Sequence, residues 1–109
     1  MDKAREQAEK ALHFLSTTDQ EVVALERQYK DLEQAYKETK AAIIKTSEGK
    51  SEGIKKAEAE THTASKEAWV KAQDAWQEWR NLYNRRESAT RRWEDWRSLN
   101  SARAKGMTV

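Results

Sequence analysis

Apolar residues recur at alternating spacings of three and four along the first part of the chain. Ten of the twelve positions in this first series are apolar or aromatic. The positions are Ala4, Ala8, Ala11, Leu15, Thr18, Val22, Leu25, Tyr29, Leu32, Tyr36, Thr39 and Ile43. A strip that repeats every 3.5 residues faces one partner continuously, as in a coiled coil. The spacing therefore predicts one long helix over residues 2–46.

One local signal competes with an unbroken first helix. In the stretch "LSTTDQE", Thr18 and Glu21 have the spacing of a capping box, which would start a new helix. The register of the series nevertheless passes through Thr18 without a shift. We therefore predict a continuous helix, with a break at residues 16–19 as the alternative.

A turn and a second helix follow. The stretch "TSEGKSEG" contains two Gly and two Ser, and Gly49 is a suitable residue to end the first helix. The pattern predicts a turn over 47–53 and a second helix over 54–105, which stops at Gly106. The start of this helix, residues 54–64, is weakly apolar and is expected to be less regular. The second series is Thr61, Ser65, Ala68, Ala72, Ala75, Trp79, Leu82, Arg86, Ala89, Trp93, Trp96 and Asn100.

The two series complement each other in size if the chain folds back at the turn. Facing residues then have numbers that sum to about 100 in an antiparallel pair. Tyr36 would face Ser65 and Tyr29 would face Ala72, whereas Ala8 would face Trp93. Large residues opposite small ones let the facing layers interdigitate. The sequence predicts an all-α fold, a long antiparallel helical hairpin (coiled coil) that forms a single domain over residues 1–109.

A second stripe of aromatic residues lies beside the second series. Trp69, Trp76 and Tyr83 recur every seven residues, each directly after a series position. Two helices cover only one stripe, so these side chains would form an exposed apolar patch. A second hairpin would bury them, and a dimer is the commonest oligomer. We expect self-association into a four-helix bundle, with an oligomer or partner interface formed by Trp69, Trp76, Trp79 and Tyr83.

Composition supports this class and excludes others. The chain has 109 residues, of which 37% are charged, with three Gly and no Pro, which favours solvated helices over a β-sandwich or barrel. Disorder has a similar composition, but the regular spacing of Trp and Tyr argues against it. The absence of Cys excludes disulfides and thiolate metal sites and fits a reducing compartment. No signal peptide or membrane span is visible, so we expect a cytoplasmic protein without membrane contact.

Candidate catalytic chemistry is sparse. His13 and His62 are single and lie on different predicted helices, and no HExxH, GxGxxG or phosphate-binding loop is present. Two helices do not enclose a pocket in which carboxylates would act as acid and base. We expect no enzyme activity, catalytic residue, metal, cofactor or small-molecule substrate.

Positive charge is concentrated at the end of the chain. The net charge is +2, but residues 80–109 carry eight Lys or Arg against three Asp or Glu. Within "RRWEDWRSLNSARAKG", arginines would contact phosphates while Trp93 or Trp96 stacks on unpaired bases. The candidate nucleic-acid-binding residues are Arg85, Arg91, Arg92, Arg97 and Arg103. The alternative is that both tryptophans are core residues of the series and that the arginines form a solvated face, partly neutralised by nearby acids.

Arg86 differs from the other arginines because it occupies a series position. A charge at such a position usually sets register or reaches past the core to a carboxylate. The pairing places it near Leu15, with Asp19 within one turn. We therefore predict a structural role for Arg86.

Three stretches carry a resemblance to a known family. They are "LSTTDQEVVALERQYKDLEQAYKETKAAI", "EGKSEGIKKAEAETHTASKEA" and "WRSLNSARAKG", and together they cover most of the chain. Their order resembles that of small phage and prophage coiled-coil proteins of unknown function that end in a WRSLN-type motif. The chain departs from that pattern in "KSEGIKKAE", where the family more often has Thr-Val-Ala-Glu-Arg, and in its higher Trp content. Members are often encoded near recombination and replication genes, so the resemblance implies DNA metabolism in a bacterial host cell.

Two functions follow as hypotheses. The first is a phage accessory protein of DNA recombination or replication, which binds a phage or host DNA-processing protein and contacts single-stranded or duplex DNA through its Arg-rich end. The second is an inhibitor or adaptor that binds a host protein, such as a defence or nucleic-acid enzyme, through the aromatic stripe. A purely structural oligomer is a third possibility.

Overall fold

A computed structural model describes residues 2–47 and 49–106, and these residues form three α-helices and no strand. The helices are α1 (Lys3–Thr46), α2 (Glu52–Thr61) and α3 (Thr63–Ala104). The all-α class is confirmed, and the helices are consistent with a helical hairpin. Glu48, in the predicted turn, lies outside the described residues.

Helix α1 is continuous over 44 residues. Thr18 lies inside it, 8% exposed, and its hydroxyl donates to the carbonyl of Phe14 at 2.6 Å. This bond to a carbonyl four residues earlier satisfies a buried hydroxyl without interrupting the helix. A break at residues 16–19, the alternative to one continuous helix, is therefore absent.

The turn after α1 contains a glycine in the left-handed conformation and a cluster of hydrogen-bonded polar side chains. Gly49 has φ 80°, the left-handed conformation that glycine adopts without a steric cost. Ser51 caps α2 by accepting a hydrogen bond from the Ile54 N–H. The Glu58 carboxylate accepts hydrogen bonds from Lys50 and from the Ser47 hydroxyl. The Lys50 hydrogen bond holds the pKa of Glu58 below its usual range.

The predicted second helix, 54–105, is instead two helices that meet at His62. This residue has φ −64° and ψ 136°, so the backbone is extended there. Its N–H donates to the Glu58 carbonyl, and its ring Nδ1 accepts from the Ala64 N–H at 3.1 Å. One residue therefore caps the end of α2 and the start of α3. The break lies in the weakly apolar stretch 54–64, where little burial opposes it.

The described part of the chain divides into two compact units. The central unit is Ala24–Trp79, and the terminal unit comprises the residues up to Val23 and those from Arg80 onward. Buried residues of the central unit are Ala59, Ser65, Ala72 and Ala75, and those of the terminal unit are Ala8, Ala11, Thr18, Leu82 and Ala89. All nine except Ala59 are positions of the two series. In the first series only Ala4 is exposed, which confirms the buried face of α1.

Candidate functional site

Arg86 is the best-anchored charge of the terminal unit. Its side chain is 18% exposed, and its Nη1 donates to the Leu15 carbonyl at 2.8 Å and to the Thr18 hydroxyl at 2.7 Å. Its Nη2 contacts the Asp19 carboxylate at 3.2 Å. The predicted structural role of Arg86, near Leu15 and Asp19, agrees with these contacts. A guanidinium used in this way has few donors left for a ligand.

Two of the five candidate arginines also have contacts within the terminal unit. The Arg85 guanidinium lies over the Phe14 ring, 4.9 Å from its centroid. Arg103 pairs with the Asp2 carboxylate at 3.3 Å, and both side chains are substantially exposed. An exposed pair of this kind contributes about 0–1 kcal/mol, so a phosphate can compete for Arg103.

The other three candidates, Arg91, Arg92 and Arg97, are exposed. No carboxylate among residues 2–47 and 49–106 forms an ion pair with any of them. Their acidic neighbours on α3, Glu94 and Asp95, are likewise exposed and leave them unpaired. These three guanidinium groups are exposed cations that an anionic partner can reach.

Trp93 and Trp96 are half-buried. Their exposure lies between that of core residues and that of freely accessible stacking residues, the two alternatives that the sequence left open. Both occupy series positions, yet both also line an open groove together with Arg97 and Lys105. The groove also contains Asn100, Ser101 and the acidic Glu94. The structure therefore brings two indoles and two cations into one surface depression.

The central unit carries an exposed aromatic face on α3. Trp69 is 49% exposed, Trp76 is 43% exposed and the adjacent Val70 is 49% exposed. Trp69 and Val70 also border an open groove that contains Tyr36 and Ser65. The predicted exposure of this stripe on the single chain is thus observed at Trp69 and Trp76. A contiguous patch of large exposed apolar side chains marks an interaction surface more often than single exposed apolar residues do.

The remaining interface candidates have contacts within the chain. The Trp79 ring lies 4.9 Å from that of Tyr29, tilted by 42°, inside the central unit. In the terminal unit, the Tyr83 hydroxyl is hydrogen-bonded to Glu87, which raises the pKa of Tyr83, while Arg80 over its ring opposes the shift. The exposed aromatic face therefore consists of Trp69, Val70 and Trp76.

Sequence reasoning missed two residues of these surfaces and the unsatisfied hydroxyl of Ser65, which it had placed in the second series. The Phe14 ring lies under the Arg85 guanidinium. The predicted pairing, in which facing residues have numbers that sum to about 100, would have identified this contact. Lys105, directly after α3, lines the tryptophan groove because its N–H donates to the Ser101 carbonyl and continues the last turn beside Ser101. Ser65 is 1% exposed, and its hydroxyl has no hydrogen-bond partner among the described residues, which the sequence gives no sign of.

No group of three or more His, Asp or Glu in residues 2–47 and 49–106 lies close enough together to hold a metal ion. No helix in that part of the chain is long and apolar enough to cross a membrane.

Comparisons with known proteins give no relative for the chain. No family model, no curated protein and no solved structure matches it.

Proposed function

We propose that the protein is a non-enzymatic phage accessory protein of DNA recombination or replication. It is an adaptor built as an antiparallel coiled-coil hairpin, and its C-terminal arginines contact nucleic acid. The observation that carries the proposal is the exposure of Arg91, Arg92 and Arg97 without ion-pair partners among the described residues. The resemblance of the closing stretch to phage proteins supports the biological setting, the cytoplasm of a bacterial host.

Two contacts of the terminal unit support the antiparallel arrangement. Asp2, directly before α1, meets Arg103, whereas Thr18, within α1, meets Arg86, earlier in α3. Ascending positions in the first part of the chain thus meet descending positions on α3, as in an antiparallel pair.

The charge distribution favours phosphate over other anions. Phosphates along a strand are closely spaced, and each one neutralised by Arg or Lys releases a counterion. Arg91, Arg92 and Arg97 lie within two turns of α3 but are separated by about 100–140° around its axis, so a strand would cross α3 obliquely to meet more than one of them. This binding is electrostatic and independent of base sequence.

The test is a titration of the full-length protein with a labelled strand and its duplex, followed by fluorescence anisotropy. We expect binding that weakens by about 50-fold between about 50 mM and about 200 mM salt, because several counterions are released. Absence of binding at the lower salt would contradict the proposal.

We further propose that two hairpins pair through the aromatic face into a four-helix bundle. On the exposed side of α3, Gln73 lies between Trp69 and Trp76, Val70 and Gln77 flank them, and the charged residues Lys66, Asp74 and Arg80 border this patch. The uncharged centre of the patch can meet its own copy about a two-fold axis without like-charge repulsion there. The groove beside Trp69 offers room for an aromatic side chain of the second copy.

Sedimentation velocity tests this pairing. We expect a wild-type dimer, and a monomer of unchanged helicity for Trp69→Gln combined with Trp76→Gln, because about four large indoles leave the interface. Leu12→Gln, which alters an exposed apolar residue of the terminal unit, is the control and should remain a dimer. A wild-type monomer, or a dimer that tolerates both Trp changes, would contradict the pairing.

The same face supports a second candidate function, an inhibitor or adaptor that binds a host protein without binding DNA. The exposure of Trp69 and Trp76 favours it, because Trp is enriched among the residues that dominate protein interfaces. A monomeric wild-type protein that binds no DNA, and that captures a host nucleic-acid enzyme only while Trp76 is intact, would select this alternative.

A further inference from the structure

We propose that the groove beside Trp93 and Trp96 binds unpaired bases, so that the nucleic acid held by the terminal unit is single-stranded. This inference rests on the proposed nucleic-acid function and names its ligand class. Duplex DNA would use only the arginines, whereas a single strand would use the arginines and the indoles.

The two indoles are placed for stacking on a base. They lie three residues apart on α3 and therefore on the same side of the helix. Both are half-buried and line the groove, so each combines a fixed position with an accessible surface. Within residues 2–47 and 49–106, neither indole stacks on another ring or lies under a cation. No described ring or cation therefore competes with a planar ligand for their faces.

The positions on α1 that belong to the same core are small. Ala8 is 1% exposed and Ala11 is 4% exposed. The predicted register sets Ala8 opposite Trp93, and a methyl group covers an indole incompletely, which agrees with the intermediate exposure of that tryptophan.

The polar residues of the groove fit the rest of a nucleotide. Arg97 and Lys105 line it and supply positive charge for the phosphates on either side of a stacked base. Asn100 and Ser101 supply donors and acceptors that tolerate any base edge. Glu94 is the acid that lines the groove, and its charge disfavours deep entry of a phosphate there. The base, rather than the phosphate, is therefore the part of the nucleotide that we place against the indoles of the groove.

Two variants separate stacking from packing. Trp96→Leu keeps an apolar side chain but removes the extended ring, and should weaken single-strand binding by about tenfold or more, since stacking on an aromatic residue stabilises each base substantially. Trp96→Phe retains a ring and should stay near wild type. Duplex affinity should be unchanged in both, because paired bases do not reach the groove. Circular dichroism checks that helicity is retained.

A second measurement needs no variant, so it decides the matter even if Trp96→Leu fails to fold. The wild-type protein is titrated with a single strand and with an abasic strand of the same length and charge, while tryptophan fluorescence is recorded. We expect quenching and about tenfold tighter binding for the strand that carries bases. Equal affinity for the two strands would overturn base stacking but leave electrostatic binding intact. Absence of binding to either strand would overturn the proposed function itself.

Discussion

Arg91→Glu combined with Arg92→Glu is expected to weaken DNA binding by about 100-fold at low salt, because two phosphate contacts are replaced by two repulsions. Both side chains are exposed and have no ion-pair partner among the described residues, so the change removes no contact that holds the fold. Anisotropy with a labelled single strand measures the affinity. Circular dichroism should show unchanged helicity.

The control for this double change is Lys56→Glu combined with Lys71→Glu. It alters the net charge of the chain by the same amount, but both residues are exposed in the central unit. We expect this variant to keep most of the wild-type affinity. Equal losses in the two variants would mean that total charge, not this surface, attracts DNA, and undiminished binding by the arginine variant would exclude the surface.

Arg86→Met is expected to lower the free energy of unfolding by about 2–3 kcal/mol. Methionine keeps much of the aliphatic stem but removes the donors to the Leu15 carbonyl and the Thr18 hydroxyl. Thr18 is 8% exposed, so water replaces the lost donor poorly. Loss of the contact to Asp19 adds little, because that carboxylate is 74% exposed. Urea unfolding followed by circular dichroism measures the change.

Arg97→Met is the matched control for stability, since Arg97 is exposed on the same helix and unpaired among the described residues. We expect it to change the free energy of unfolding by less than about 0.5 kcal/mol. If Arg86→Met were as stable as Arg97→Met, the buried guanidinium would act as a replaceable polar group and not as an anchor of the terminal unit.

The buried face of the helices was accessible to sequence reasoning because it depends on periodicity. A 3.5-residue repeat specifies which residues face inward, and every position of the first series except Ala4 is at least partly buried. The environment of Arg86 was predictable for the same reason, since the register places it near Leu15 and Asp19.

The break at His62 was not predictable from the repeat. It depends on which of several polar residues caps a helix, and His62 does so with its ring nitrogen and its own N–H. The sequence around it contains neither Pro nor Gly within several residues, so the usual signals of a break are missing. Local capping competes with helix propagation wherever burial is weak.

The candidate site was predictable as a set of residue types but not as a geometry. The five candidate arginines were selected because positive charge is concentrated in that part of the sequence. In the structure, the Arg85 guanidinium lies over the Phe14 ring, and Arg103 forms an ion pair with Asp2. The other three candidates, Arg91, Arg92 and Arg97, have no ion pair among the described residues. A helical wheel does not give the rotamer of each side chain or the exact position of its partner on the other helix, on which such contacts depend. The partial exposure of Trp93 and Trp96 likewise required coordinates.

The slope of log K against log salt for wild-type protein and a single strand tests the central claim most directly. Contacts with three to five phosphates give a slope between about −2 and −4, and we expect a value in this range. A slope near zero would contradict the claim that exposed arginines of the terminal unit bind nucleic acid through its phosphates, and so would an absence of binding at low salt.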